Sequence, residues 1–179
     1  MIDVIFSATA LADPQRAVAH AYGTINALSI AGHRTDDKRK GQRWVMFSFF
    51  GGGHGGHSDG DGLSHGNAPI STATIPPMEI LEAAYPVRFT QWALRPGSGG
   101  DGQHRGGLGA IYEIELLEDS AEAFIFGERG QSAPKGIHGG QPALRRTDAS
   151  RCAFDPAIRT ASVQPSSGGV SAAAGQWRR

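Results

Sequence analysis

The chain has 179 residues, enough for one domain or for part of a larger one, and a chain of this length buries roughly 70% of the surface it exposes when unfolded. Hydrophobic residues make up 39% and charged residues 19%, with 26 glycines, so the composition is that of a lean globular protein with many loops. Seventeen basic residues balance seventeen acidic ones, which leaves no electrostatic footprint for nucleic acid, and no apolar run approaches the length of a membrane span.

The opening "MIDVIFSATALADPQ" has no basic leader, so no signal peptide is expected and the expected location is cytoplasmic. Its first half, Ile2 to Leu11, is ambiguous in type. From Asp13 to Gly32 the pattern predicts a helix. Asp13 can accept the free amides of a first turn, and Pro14 suits the first helical position. Ala17, Val18, Ala21, Tyr22 and Ile25 recur at helical spacing, and Gly32 can stop the helix. A charged connection, "HRTDDKRKGQ", follows. Arg43 to Phe50, "RWVMFSFF", reads as a buried strand.

That strand runs into "GGGHGGHSDGDGLSHGN", Gly51 to Asn67, which holds eight glycines, three histidines and two aspartates. "PPMEILEAAYP" allows at most a short helical turn between its prolines. Val87 to Pro96 is a strand with Val87 and Phe89 on one face, Trp92 and Leu94 on the other, and a parity change near Gln91 that suggests a bulge. "GSGGDGQHRGGLG" is a second glycine-dense loop. Ala110, Tyr112, Ile114 and Leu116 alternate inward, and "EAFIFGER" is the expected hairpin partner across Asp119 and Ser120. "GQSAPKGIHGGQP" is a third loop. The predicted class is α+β: a β-rich mixed fold with long glycine-rich loops, one N-terminal helix and an incomplete domain.

Residues 1–144 carry 11 basic and 15 acidic residues, whereas 145–179 carry 6 and 2. The tail also loses apolar periodicity, so the domain is expected to occupy 1–144, with 145–179 disordered or foreign to it. The lone Cys152 excludes an intrachain disulfide and reads as incidental.

Three chemistries compete for the first glycine loop. His54, His57, Asp59, Asp61 and His65 offer N and O metal ligands, but their spacing matches no closed zinc pattern and glycine-rich backbone holds ligands poorly. Gly51, Gly52, Gly53, Gly55 and Gly56 leave main-chain N–H groups bare to approach an anion or a carbonyl. The spacing is neither a phosphate-binding P-loop nor a dinucleotide fingerprint. The glycines can also serve turns alone. In the second loop Arg105 can clamp a carboxylate or tie loop carbonyls.

In order, Gly51–Gly53, Asp61–Gly62, Glu79, Glu82, Pro86, Arg95, Ser98–Gly100, Gly102 and Arg105–Gly109 fit a pattern of GGG-x-G, DG, P-x-E-x-x-E-x-x-x-P and L-R-x-x-S-G-G-x-G-x-x-R-G-G-x-G. On these residues, and on "GERGQSAPKGIHGGQP", the chain resembles the hydantoinase B/oxoprolinase family over about residues 10–142. The family includes 5-oxoprolinases, N-methylhydantoinases, related lactamases, and acetone and acetophenone carboxylases.

The resemblance implies part of an ATP-dependent cyclic-amide hydrolase B subunit. ATP would be used by a hydantoinase A-type partner, and a divalent metal would be held in the N-terminal half of the B subunit, the second expected partner. Gly51, Gly52, Gly53, Gly55, Gly56, Asn67 and Arg105 are the expected substrate-binding residues. No metal ligation is carried onto His54 or His57. Glu79 and Glu82 are neighbours if the turn between the prolines is helical, and are expected to tie backbone to the body. The chain alone is expected to be inactive. The other readings are a non-catalytic fragment or interaction module, and part of a related ATP-dependent ketone carboxylase.

Overall fold

The computed structural model describes residues 1–23, 25–67, 74–145, 160–163 and 173–178, the last two segments as backbone only. Cys152 and most of the tail predicted as disordered lie outside the described residues. Within that tail, Thr160–Val163 and Ala173–Arg178 are strands.

Helix α1 spans Ile2–Ala12, and a single 3-10 turn follows at Pro14–Arg16. The helix expected from Asp13 to Gly32 is therefore corrected. Its start signals are real but local. Pro14 forces Asp13 into extended backbone, which ends α1, and the Asp13 carboxylate then accepts the Gln15 N–H at 3.2 Å. Beyond that turn the donors are claimed by tertiary partners. Ala19 donates to Gly56, His20 to Lys135 and Tyr22 to Gly53, so residues 17–22 run extended across two loops. Ala17, Ala21 and Tyr22 are buried there, which produces helical spacing without a helix.

Strand β1 is Asn26–His33, β2 is Arg43–Phe50, and residues 34–42 form the exposed turn between them. Helix α2 spans Met78–Ala84, β3 Val87–Leu94, β4 Ala110–Leu116 and β5 Ser120–Phe126. Thr160–Val163 is β6 and Ala173–Arg178 is β7. Two antiparallel sheets result, β2-β1-β5-β7 and β3-β4-β6. This is the α+β architecture expected from the sequence.

The inner faces of the two sheets meet in one core. Leu28, Ile30, Met46, Phe50 and Ile125 pack against Val87, Tyr112, Ile114 and Leu116, with Leu81 of α2 closing one side. Phe50 and Tyr112 touch across the interface with ring centroids 4.3 Å apart. β2 is not buried on both faces as expected. Trp44, Met46, Ser48 and Phe50 point inward while Val45 and Phe47 are exposed.

The bulge in β3 lies between Phe89 and Gln91. It restores phase. Val87, Phe89, Trp92 and Leu94 oppose Leu116, Ile114, Tyr112 and Ala110, all on one face, rather than splitting two and two. Glu82 of α2 accepts the Phe89 N–H at 2.6 Å beside the bulge, the backbone-tying role expected for it.

β4 and β5 do not form the expected hairpin. β4 pairs with β3 and β5 with β1, so the short link between them crosses from one sheet to the other. Glu118 secures that crossing. Its buried carboxylate accepts the Thr35 N–H at 2.8 Å and the Thr35 hydroxyl, with Arg34 3.9 Å away. Removing one partner from such a buried set leaves polar groups stranded. Glu118→Ala is expected to destabilise the protein by about 3 kcal/mol, read as a lower urea midpoint at unchanged slope.

Candidate functional site: a cavity walled by glycine backbone

The first glycine loop leaves the end of β2 and doubles back on itself. Gly52 and Gly66 exchange both main-chain hydrogen bonds, and His54 donates to Leu63. The loop is then clamped from both sides. Gly53 and Gly56 accept from Tyr22 and Ala19 of the extended N-terminal segment. On the other flank Gly107 donates to His54, and Gly62 donates to Arg105 of the second glycine loop. Main chain therefore stacks on main chain in three layers. A Cβ on Gly53 would overlap the Gly107 carbonyl, and one on Gly55 would overlap that of Ala19. Close approach of backbone is what these two glycines supply.

The polar residues of the pattern reinforce the clamp. Asp61 accepts the Arg105 N–H at 2.7 Å and Ser64 accepts that of Leu108 at 3.0 Å. Ser98 donates to Arg95 and accepts from Gly109.

The layers enclose a cavity of about 370 Å³. Gly52, Gly53, Gly55 and Gly56 line it, joined by the third loop from Pro134 to Gln141. The N–H groups of Gly53, Gly55 and Gly56 donate to no main-chain carbonyl among the described residues. Arg95, Lys135 and five histidines, His20, His54, His57, His104 and His138, bring cationic or ionisable nitrogen to the lining, against the one carboxylate of Asp101. Among the described residues, His20 and two more lining residues carry a buried polar atom without a partner: His20 Nδ1, Tyr22 Oη and Asn26 Oδ1. Burial pushes the Tyr22 phenol up, so it stays neutral. Burial, helped by Lys135, pushes the His20 imidazole down. Unpaired buried polar groups are uncommon in folded proteins, and three of them lie on this one cavity.

Behind the loop, His65 forms its attachment to the sheets. Trp92 Nε1 donates to His65 Nε2 at 3.0 Å, and the Tyr112 hydroxyl lies 2.7 Å from the same atom. An indole N–H can only donate, so Nε2 carries the lone pair and the ring is neutral with its proton on Nδ1. Burial lowers the His65 pKa, opposed by the Gly51 backbone. Burial also raises the Tyr112 phenol, with Tyr22 adding to the effect.

Of the expected binding residues, Gly52, Gly53, Gly55 and Gly56 converge on the cavity, whereas Gly51, Asn67 and Arg105 stand outside its lining. Gly51 is buried under the carbonyls of His65 and Gly66. The Asn67 carbonyl meets His54 Nε2, and Arg105 uses its main chain to hold Asp61 and Gly62 while its residue remains exposed. His57 is exposed, with Nδ1 accepting the Asp59 N–H at 3.3 Å. Among the described residues no three His, Cys, Asp or Glu side chains converge to hold a metal ion, so the donor set present does not fit one. The sequence reading missed Tyr22 and Asn26 because both lay inside a segment read as helix. It missed His20 and Lys135 because only the fold joins their loops.

The structure is thus a β-rich α+β body whose glycine loops wall a cavity. The chain belongs to the hydantoinase B/oxoprolinase family, whose model matches residues 1–176. It is 31% identical to the 5-oxoprolinase of Dictyostelium discoideum over 145 residues, 81% of this chain and 10% of that one. It is 28% identical to caprolactamase subunit beta of Pseudomonas jessenii over 148 residues, 80% of this chain and 25% of that one. The nucleotide-free structure of an acetone carboxylase, from work on ATP-dependent acetone carboxylation, shares the fold with a TM-score of 0.61 at 22% identity, covering 97% of this chain and 27% of that one. The chain thus spans between a tenth and a quarter of the length of the two enzymes whose sequences it matches.

Two outcomes follow from this geometry. Gly53→Ala must push the two loops apart and is expected to cost about 1–3 kcal/mol, whereas Gly102→Ala, with its nearest neighbour 3.3 Å away, is expected to cost far less; thermal denaturation of the pair decides. The second concerns pH. The folded-state pKa of His65 lies below its ordinary 6.5, as does that of His20, so the unfolded chain takes up protons first. Stability is then full above pH 6.5 and falls as the pH drops below it, by at most about 1.4 kcal/mol per pH unit for each group. His65→Gln keeps an acceptor for Trp92 and removes one titration, so its stability is expected to vary less between pH 7 and 5.

Proposed function

We propose that residues 1–144 form the C-terminal part of the B-type unit of an ATP-dependent cyclic-amide hydrolase, of 5-oxoprolinase or N-methylhydantoinase type. It works in the cytoplasm with a hydantoinase A-type partner, which uses the ATP, and with the N-terminal half of the B-type unit, which holds a divalent metal. The observation that carries this reading is the cavity. In a chain of this family, Gly53, Gly55 and Gly56, whose amides donate to no main-chain carbonyl among the described residues, line it with Arg95 and Lys135. Among the residues whose side chains are described, every core and cavity-lining residue lies before Leu144, while β6 and β7 beyond it pair with β4 and β5 and the family model reaches residue 176.

Hydrolysis of an amide passes through a tetrahedral oxyanion. Main-chain donors held rigid before the reaction stabilise that charge without reorganising, each by roughly 2.7–4 kcal/mol in a dry site. The stacked loops supply that rigidity here. Gly52, Gly53, Gly55 and Gly56 line the path of the substrate. Gly51, Asn67 and Arg105 serve the same site by positioning: Gly51 from beneath, Asn67 through His54, and Arg105 through Asp61. No step is assigned to a metal or a nucleotide on the residues of this chain.

The test is turnover of 5-oxoproline and N-methylhydantoin with ATP. The purified chain alone is expected to be inactive, and activity is expected only with an A-type partner and the N-terminal half of a B-type unit. Robust turnover by the lone chain, or carboxylation of acetone in place of hydrolysis, would overturn this reading. In the active complex, Tyr22→Phe removes an unpaired buried hydroxyl from the cavity wall. It is expected to leave stability unchanged or slightly raised while lowering kcat/KM at least about tenfold, the loss of roughly 1.4 kcal/mol of transition-state binding. His54→Ala and His57→Ala are expected to leave metal content unchanged, measured by plasma mass spectrometry.

A further inference from the structure

Helix α1 is turned the wrong way round for a free-standing unit. Beside half-buried Phe6 and buried Ala10, its body side carries the helix's bonded polar groups: Asp3 accepts the Ala21 N–H and pairs with Arg129, and Ser7 lies 2.7 Å from His20 Nε2. Its apolar stripe, Val4, Ile5, Ala8 and Leu11, faces solvent, with Val4 70% and Leu11 87% exposed. Surface helices of a self-sufficient domain show the reverse arrangement.

The outer face of the larger sheet has the same character. Register aligns Phe49, Ala27 and Phe126 in one row across β2, β1 and β5, and Phe47, Ser29 and Phe124 in the next. Small residues on the central strand between phenylalanines on both flanks make an apolar trough. The flanking strands lie about 10 Å apart, the width of one α-helix. Phe47 is 52% exposed and Phe126 46%. Arg129, which holds Asp3, is three residues beyond Phe126, so α1 stands near that end of the trough.

We infer that the outer stripe of α1 and the phenylalanine trough form one interface, covered by the polypeptide that longer family members carry outside the segment matched here. The inference rests on reading the chain as part of a B-type unit. Its occupant is set by proportion. In caprolactamase subunit beta the matched segment is 25% of the chain, and in the acetone carboxylase the shared fold is 27% of the chain, so in both this body is embedded in about three times its own length of protein. An apolar trough as wide as a helix, on a sheet with no charge at its centre, is what such a neighbour would bury.

The experiment compares each substitution in two settings. Residues 1–176, the part the family model matches, are grafted into caprolactamase subunit beta in place of its matched segment, and Leu11→Glu and Phe47→Glu are made in the graft and in the isolated chain, with Leu11→Gln and Phe47→Ser as milder versions should the charged ones prevent folding. In the isolated chain the Leu11 substitutions are expected to melt at the parent midpoint, because Leu11 is 87% exposed, and the Phe47 substitutions to lose only the edge-on contact with Phe49, a smaller drop than in the graft. In the graft each is expected to lower the midpoint by about 3 °C or more. Equal midpoints in the graft would overturn the inference. So would an isolated parent chain that forms a stable dimer in light scattering and is dispersed by these substitutions, since a second copy would then be the occupant. Lactam turnover of the graft is recorded separately: an inactive graft that still responds to the substitutions keeps the interface and removes the activity.

Discussion

The approach of main chain to main chain at Gly53 and Gly107 is the constraint on which the rest of the site depends. Two loops from different sheets can stack at hydrogen-bond distance only if nothing projects between them, and a Cβ on Gly53 would overlap the Gly107 carbonyl. The high glycine content of this chain is therefore not a sign of slackness. The loops are irregular in shape but richly bonded: Gly52 with Gly66, His54 with Leu63 and Gly107, Gly62 with Arg105. Irregular segments held this way can wall a cavity as firmly as a sheet does.

That rigidity is borrowed from the two-sheet body. The loop is attached at one end by β2 and near its other end by His65, which receives the indole N–H of Trp92 and sits beside the Tyr112 hydroxyl. Trp92 reaches His65 because the bulge after Phe89 restores its phase on β3, and Glu82 occupies the Phe89 N–H beside that bulge. A carboxylate in the short helix, an irregularity in a strand and a histidine in a glycine loop thus form one mechanical chain. Several residues that look like chemistry in the family pattern are architecture in this fold, Asp61, Ser98 and Glu82 among them. The residues with unsatisfied polar atoms on the cavity wall, Tyr22, Asn26 and His20, lie outside the runs that make the pattern recognisable.

Family membership and partial length frame the surface as well as the site. A unit that is a tenth to a quarter of its relatives' length need not hide every apolar face by itself. The core between the sheets buries Leu28, Ile30, Met46, Tyr112 and Ile114, so the body has a reason to fold. The exposed stripe on α1 and the phenylalanines on the outer sheet lie outside that core.

By itself the sequence determined the elements whose signals are local. Period-two alternation marked β4 and the inward set Ala110, Tyr112, Ile114 and Leu116. The parity break marked the bulge in β3, paired prolines confined α2, and the order of glycine runs marked the family. The tertiary structure decided whatever depends on which partner takes a backbone donor. Residues 17–22 have helical spacing, yet their N–H groups go to Gly53, Gly56 and Lys135, and the segment is extended. β4 and β5 are adjacent and separated by a turn-like link, yet the Glu118 carboxylate, held by Thr35 and Arg34 from 83 and 84 residues upstream, carries the chain into the other sheet. The cavity has the same origin. Its walls come from three loops far apart in the chain, and a hydrogen bond or a close approach between distant segments leaves no periodicity in either of them to be read.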